Sequence, residues 1–422
     1  MNRRIVILGL LAILIAVAMP WAFYDWGHAR HSGFVISMLS QMGMMVIFAL
    51  SYNMLMGQAG LLSLCHATFF GFGAYCTVHL LDAVANGSMP VPMELVPFVS
   101  GLSGLALAIV FGYMATKQRA TAFAMITLGI GELVYNCSLM FPDFFGGEGG
   151  ITTNRVVGQP FLGISFGPAI QVYYLIAVWT LISMALMYAW AHTPLGRIAN
   201  AVRDNPERAE FVGYDTQKVR WLTLIISAFF AGVAGALACI TFEIVTAENV
   251  GAIRSAGVLI AAFIGGGGFF FGPIVGACLF VYFFAALSDH TKAWLLYLGL
   301  FFMAMVMFAP GGIASLLMMQ LPVIARKRFK ELVPHYARTG AAALLLLAAL
   351  VLTVEMTYKV SVDSANGTAM KLFGVEFDAA GLEPWALAIG LWIVGGGLFR
   401  AAWKRLSQAW GEIQADIAES RA

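Results

Sequence analysis

Long apolar segments recur along this chain with little between them, and no other feature constrains its fold as much. Taking about 20 apolar residues as the length that crosses a bilayer, twelve segments qualify: 4–23, 34–56, 61–81, 95–116, 120–140, 169–191, 221–242, 255–268, 271–287, 293–318, 339–357 and 385–403. In lipid a spanning segment has to satisfy its own peptide N–H and C=O groups, so helices are the expectation throughout. The fold class is therefore read as all-α, a polytopic transmembrane helical bundle. Composition agrees: 60% of the 422 residues are hydrophobic and 11% are charged, against about 25% charged in a soluble domain.

Two places complicate the count. Segments 255–268 and 271–287 are short, and the glycines at 265–268 with Gly272-Pro273 interrupt any continuous helix. They read either as two tilted spans or as one re-entrant hairpin. The first segment follows Arg3 and Arg4 and contains Ala16-Val17-Ala18, in the manner of a cleaved leader. Its apolar run exceeds the usual ~7–15 residues of such a leader, so it is read as a retained span.

Loop charge orients the bundle. With the N-terminus placed inside, eighteen of the 24 Lys and Arg fall on the inner side and six on the outer. The inner set includes Arg326, Lys327, Arg328, Lys330, Arg400, Lys404, Arg405 and Arg421; the outer six are Arg30, Arg155, Arg254, Lys292, Lys359 and Lys371. That bias puts both termini in the cytoplasm. The five cysteines all lie in apolar stretches without metal-ligand spacing and read as packing residues.

The longest polar interruption in the first three hundred residues is 193–220, on the inner side, with Arg197, Arg203, Arg208, Lys218 and Arg220. It carries its own helix punctuation. Thr193-Pro194 reads as an N-cap and first-turn proline. Asn205-Pro206 reads as a second start, with Glu207 where the helix dipole favours an anion. Gly213 reads as a stop, and Ile198 and Val202 form a small apolar stripe. A short folded knob between two spans offers another protein something to grip.

Sites of chemistry are sparse. There is no G-x-x-x-x-G-K-[ST] loop and no H-E-x-x-H, so neither P-loop ATP binding nor zinc hydrolysis is expected of this chain. An intramembrane enzyme would need a set of polar catalytic groups at depth, and none is visible. Glu132 lies within segment 120–140, where a carboxylate costs ~2.5–3.5 kcal/mol and so reads either as a path residue or as a packing group. His66 stands among small residues and reads as a helix–helix hydrogen-bonding group before a ligand contact. Asn53 and Gln58 flank Gly57 at a span junction and read as path residues or as caps of the break. The stretches FFGFGAY and GGGGFFFGPIVGA fit close helix approach and broken helices. The loops at 141–167 and 243–254 are read as outer surfaces, and 404–422 as a short amphipathic cytoplasmic helix through Trp403, Leu406, Trp410, Ile413 and Ile417.

Taken in order, these stretches resemble a known family, the M-type membrane permease subunits of branched-chain amino-acid ABC importers. NMLMGQAGLLSLCHATFFGFGAY (53–75), TAFAMITLGIGEL (121–133), FFGGEGGI (144–151), LGRIANAVRDNPERAEFVGYD (195–215), SAFFAGVAGAL (227–237), GGGGFFFGPIVGA and FAPGGI (308–313) carry the resemblance over about 35–315. Two departures stand out: Cys65 where glycine is usual, and Phe residues at 269–271 where the family is smaller and more polar.

The resemblance implies an ABC importer permease with broken and short helices in a bacterial inner membrane. Residues 1–322 would be the permease unit and 323–422 a C-terminal extension with two further spans. It also implies a second, H-type permease, two ATPase subunits that bind the ATP, and a periplasmic substrate-binding protein. Arg197, Arg203, Asp204, Asn205, Glu207 and Gly213 are carried over as contacts or shape determinants of the coupling segment. Asn53, Gln58, His66 and Glu132 are the candidate path residues. No metal site, no cofactor in this chain and no nucleic-acid partner are expected. The alternative reading is an ion-coupled secondary transporter or channel working without an ATPase, with Glu132 as its ion site.

Overall fold

The computed structural model describes residues 3–22, 24–25, 30–157, 165–326, 328–362, 367–372 and 375–419. Lys327 and Arg421 of the charge count, a stretch of the 141–167 loop, the side chain of Ile417 and the last residues of the tail lie outside them. The helices are α1 (Arg3–Ala22), α2 (Gly33–Asn53), α3 (His66–Ala85), α4 (Val96–Ala115), α5 (Ala120–Met140), α6 (Pro142–Phe145), α7 (Ala169–His192), α8 (Pro194–Asp204), α9 (Pro206–Phe211) and α10 (Thr216–Phe242). They continue with α11 (Ala252–Gly265), α12 (Gly272–Val281), α13 (Ser288–His290), α14 (Trp294–Phe308), α15 (Gly312–Ala325), α16 (Phe329–Ser361) and α17 (Leu382–Glu419). Three two-stranded antiparallel ribbons join them: β1–β2 (Tyr24–Asp25 with Arg30–His31), β3–β4 (Ile151–Thr152 with Ile244–Val245) and β5–β6 (Ala369–Leu372 with Val375–Asp378).

Among the described residues ten helices are long and apolar enough to cross a membrane, apart from α1 and from the pair α14 and α15. This is a multi-pass membrane protein. The structure redraws the expected spans in several places. The expected span 293–318 is two helices meeting at 47°. Pro310 cannot donate a backbone hydrogen bond, and Gly312 turns the chain with φ +69°. The expected span 61–81 becomes helical only at His66. Segments 255–268 and 271–287 form an antiparallel pair, α11 and α12. The tail at 404–422 is no separate helix: α17 runs on to Glu419.

Two compact units divide the chain: Met1–His290 with Leu298–Ser315, and Thr291–Tyr297 with Leu316–Ala422. In the first, α10 is the axis, with 83% of its spanning window buried. The reason lies in its sequence, SAFFAGVAGALAC, whose small residues let neighbours approach to backbone distance. Gly101 and Gly104 of α4 face Val233 and Ala228 of α10. A methyl group on Gly235 would strike the carbonyl of Phe70 in α3. With no hydrophobic drive between helices in lipid, such contact is what holds them together.

In the second unit α16 packs against α17. The Glu355 carboxylate within α16 accepts hydrogen bonds from the hydroxyls of Thr291 (2.6 Å) and Tyr297 (3.0 Å). Leu406 and Ile413 of α17 are buried with Val323 and Leu332. The middle of the tail's apolar face is therefore covered by this chain itself, while Trp403 stays 56% exposed.

The α3–α10 contact yields a test. G235V has to push the α3 and α10 backbones away from each other, so it should destabilise the purified protein by at least the ~1–3 kcal/mol usual for overpacking. G129A, on α5 with nothing within 4 Å of the added carbon, should be neutral. Thermal unfolding compares the two; equal melting would contradict the packing account.

Candidate functional site

The polar knob is built as its punctuation requires. The Thr193 hydroxyl accepts from Gly196 N–H (3.3 Å), capping α8. The Asn205 side chain accepts from Arg208 N–H (2.9 Å), capping α9. Asp215 accepts from Lys218 N–H (3.0 Å) and starts α10. That backbone hydrogen bond, with the Lys218 side chain beside it, holds the Asp215 carboxyl below its ordinary pKa. Gly213 turns the chain with φ +96°. Ala199 and Val202 face inward, while Arg197, Asp204, Glu207 and Arg208 face solvent. The far end is tied down at Glu210, which accepts from Arg119 (2.6 Å), next to α5, and from the Thr216 hydroxyl (2.7 Å). The knob also leaves large apolar groups uncovered: Phe211 is 92% exposed, Val212 71% and Tyr214 45%.

Arg203 connects this knob to the interrupted end of α2. Arg203 donates from Nη1 to the carbonyl of Gly57 and from Nε to Asp204 Oδ1 (2.9 Å). Gly57 lies just past α2, in a π-helical turn spanning Met54–Ala59 that ends at Gly60 with φ +68°. A methyl group at Gly60 would come within 2.7 Å of the Arg203 Cγ. On its other side Gly57 touches the carbonyl of Gly267, in the turn between α11 and α12. The Gly311–Gly312 turn before α15 packs against Gly266 in the same place. Three chain breaks therefore meet beside Arg203, and glycine lets their backbones touch.

The predicted path residues separate. Asn53 and Gln58 belong to this junction. Asn53 is 2% exposed, and neither its Oδ1 nor the Gln58 Oε1 has a hydrogen-bond partner among the described residues. His66 is fully buried and starts α3. The Ser51 hydroxyl donates to the Phe48 carbonyl (2.7 Å), so at 2.9 Å it accepts from His66 Nε2. That assigns the tautomer and joins α2 to α3. Glu132 lies apart, exposed on α5.

At the opposite end of the first unit, Arg155 gathers the mouth. It donates from Nε to the Phe166 carbonyl (2.9 Å), from Nη2 to that of Gly167 (2.9 Å) and from Nη1 to that of Thr241 (3.3 Å). After β4 the chain turns inward, and a methyl group on Gly71 of α3 would meet Asn249 and Val250. Loop charge alone puts Arg254 in an outer loop. It sits instead in the first turn of α11, its guanidinium 4.8 Å from the Phe70 ring centre. The Phe70 carbonyl is level with Gly235, seven residues or about 10 Å inside the end of α10. A run of small residues after Arg254 was the available signal, but loop charge counting cannot see a chain that turns back inward.

The broken spans, small-residue contacts and solvent-facing knob belong to a multi-pass helical membrane protein, and comparison with known proteins defines its class, a transport permease rather than an enzyme. The chain belongs to the family of branched-chain amino acid transport system/permease components, whose model matches residues 34–310. It is 28% identical over 332 residues to the high-affinity branched-chain amino acid transport system permease protein LivM of Salmonella typhimurium, covering 74% of this chain and 76% of the relative. The Escherichia coli protein of the same name is 26% identical over the same shares. No solved structure matches.

The caps give a direct test. N205A removes the acceptor for Arg208 N–H, worth ~1 kcal/mol at an N-cap. Hydrogen exchange at Arg208 should become about fivefold faster, with N205S close to wild type. An unchanged rate in N205A would show that the cap does not hold α9.

Proposed function

We propose that this chain is half of the translocation path of an ATP-driven importer, with 193–220 as the segment gripped by an ATPase. The observation that carries this reading is the continuous contact from an exposed knob, through Arg203, to the glycine junction of Gly57 and Gly267. The bare Phe211, Val212 and Tyr214 are the apolar centre a docking surface needs, and Arg197, Asp204, Glu207 and Arg208 are its charged rim. Asn205 and Gly213 hold its shape. Motion of the knob pulls on Gly57 and hence on three chain breaks at once, which is where broken helices can change tilt.

The solute is a branched-chain amino acid or a related small organic molecule, the class named by the relatives. The partners are a second, H-type permease, two ATPase subunits that bind the ATP, and a periplasmic binding protein. The excess of Lys and Arg on the knob side supports a cytoplasmic knob and cytoplasmic termini in a bacterial inner membrane. Residues 1–322 form the permease unit and 323–422 an extension of it. Asn53 and Gln58 line the moving junction, His66 joins α2 to α3 behind it, and Glu132 faces the other half of the path.

The test uses the assembled transporter with its cognate ATPase and binding protein. R203A/D204A should keep the ATPase bound but lower solute imported per ATP by about tenfold, the loss of ~1.4 kcal/mol of coupling, within the usual range. F211E should weaken ATPase capture by tenfold or more, because burying a Phe is worth ~1.5–3 kcal/mol. Unchanged import per ATP in the double variant would reject the knob's role. Import that persists without any ATPase would favour a self-powered carrier instead.

A further inference from the structure

At the knob end of the first unit, the turn between α4 and α5 and the start of α10 enclose a cavity of about 370 Å³. That lies within the roughly 300–1,000 Å³ of small-ligand sites. Lys117 and Arg119 line it from the turn, Glu210 from α9, and Thr216, Gln217 and Arg220 from the first two turns of α10. Three of these are cations, and the importer reading gives none of them a ligand.

Arg220 is the unusual one. It is only 5% exposed. Yet among the described residues it makes no hydrogen bond and has no carboxylate within 4.0 Å. None of its nitrogens is sealed in the protein without a partner, so the guanidinium opens onto the cavity that it lines. A guanidinium taken this far out of water needs acceptors, and the described residues supply none.

The carboxylates at the site are already engaged. Glu210 accepts from Arg119 (2.6 Å) and from the Thr216 hydroxyl (2.7 Å). Asp215 accepts from Lys218 N–H and pairs with its Nζ at 3.2 Å. Lys117 has the ring face of Tyr113, its Nζ 5.1 Å from the centre, and no carboxylate within 4.0 Å among the described residues. The unmet charge is therefore positive and calls for an anion. A planar fork of donors beside an ammonium suits a phosphate.

The surroundings favour a lipid as its source. Trp221 Nε1 donates to the Ile109 carbonyl (3.2 Å), and its ring meets Tyr113 edge-on at 5.4 Å. Gln217 donates to the Tyr113 carbonyl (3.3 Å). Such Trp and Tyr pairs collect where a bilayer meets water. Beside them on the spanning helix α4, Val110 and Met114 are exposed apolar side chains. Cations, boundary aromatics and an apolar flank occur together where spans hold anionic head groups.

We propose that this cavity binds the phosphate of an anionic membrane lipid. Arg220 and Lys117 hold the phosphodiester, and an acyl chain lies along Val110 and Met114. Arg119 stays with Glu210 as the wall on the knob side. The site goes beyond the importer reading and does not depend on any contact with an ATPase.

The experiment titrates the delipidated full chain in detergent with phosphatidylglycerol, phosphatidylcholine or inorganic phosphate. Native mass spectrometry reads bound lipid, and thermal unfolding reads stabilisation. Wild type should bind phosphatidylglycerol about tenfold more tightly than phosphatidylcholine and melt higher with it. It should keep that lipid in excess inorganic phosphate. R220Q should weaken phosphatidylglycerol about tenfold and K117Q several-fold. K117Q, at an exposed position, should melt like wild type without lipid, which separates lost binding from lost packing. R338Q, on α16, should bind as wild type does. Equal binding of the two lipids, displacement of phosphatidylglycerol by inorganic phosphate, or wild-type affinity in K117Q each overturns the lipid site. Displacement would make it a free-anion site. Normal lipid affinity in K117Q with lost ATPase capture would make it part of the ATPase contact. If R220Q does not fold, K117Q decides by the same criteria.

Discussion

The hydrogen bond from Arg203 to the Gly57 carbonyl ties together two environments of opposite character that share one apolar core. One is a solvent-facing helix, α8, with charged residues around it. The other is the interrupted end of α2, where the backbone has left α-helical geometry and its carbonyls need donors. A peptide carbonyl freed by a break near lipid is costly unless something bonds to it. A guanidinium supplies several donors in a fixed fork, which lets Arg203 hold Gly57 and Asp204 at once. The break in α2 and the position of the knob therefore belong to one arrangement.

The glycines make that arrangement a junction rather than a single contact. Gly57 meets Gly267, and Gly266 meets Gly311 and Gly312, at distances where any side chain would intrude. Backbone-to-backbone contact of this kind has no side chains to repack when helices shift, so it permits sliding. At the other end of the unit the design differs. Arg155 bonds to three carbonyls and the β3–β4 ribbon ties two loops together. A pinned mouth and a pliable junction suit a path that switches at one end.

Much of this was legible in the sequence. Hydropathy located the spans, because lipid demands long apolar helices wherever they occur. The caps at Thr193 and Asn205 were readable because an N-cap is a local hydrogen bond needing only its own turn. What stayed hidden depends on contacts distant in sequence. Nothing near Gly57 announces that Arg203 bonds to it, 146 residues away. The bend between α14 and α15 was masked by uniform hydropathy, although Pro310 and Gly311 stood in view. Arg254 read as a loop charge because the inward turn after β4 is set by α3, not by its own neighbours. The tail reads as a short amphipathic helix without a named cover because its partners, Val323 and Leu332, lie some eighty residues earlier.

The central claim is that the 193–220 knob hangs on the same side of the membrane as the ATPase and touches it. A single cysteine in place of Arg208, with the native cysteines removed, tests this most directly. In intact cells it should resist a membrane-impermeant maleimide added outside, and in inverted vesicles it should react and cross-link to the ATPase. Labelling from outside intact cells would put the knob in the wrong compartment and contradict the account.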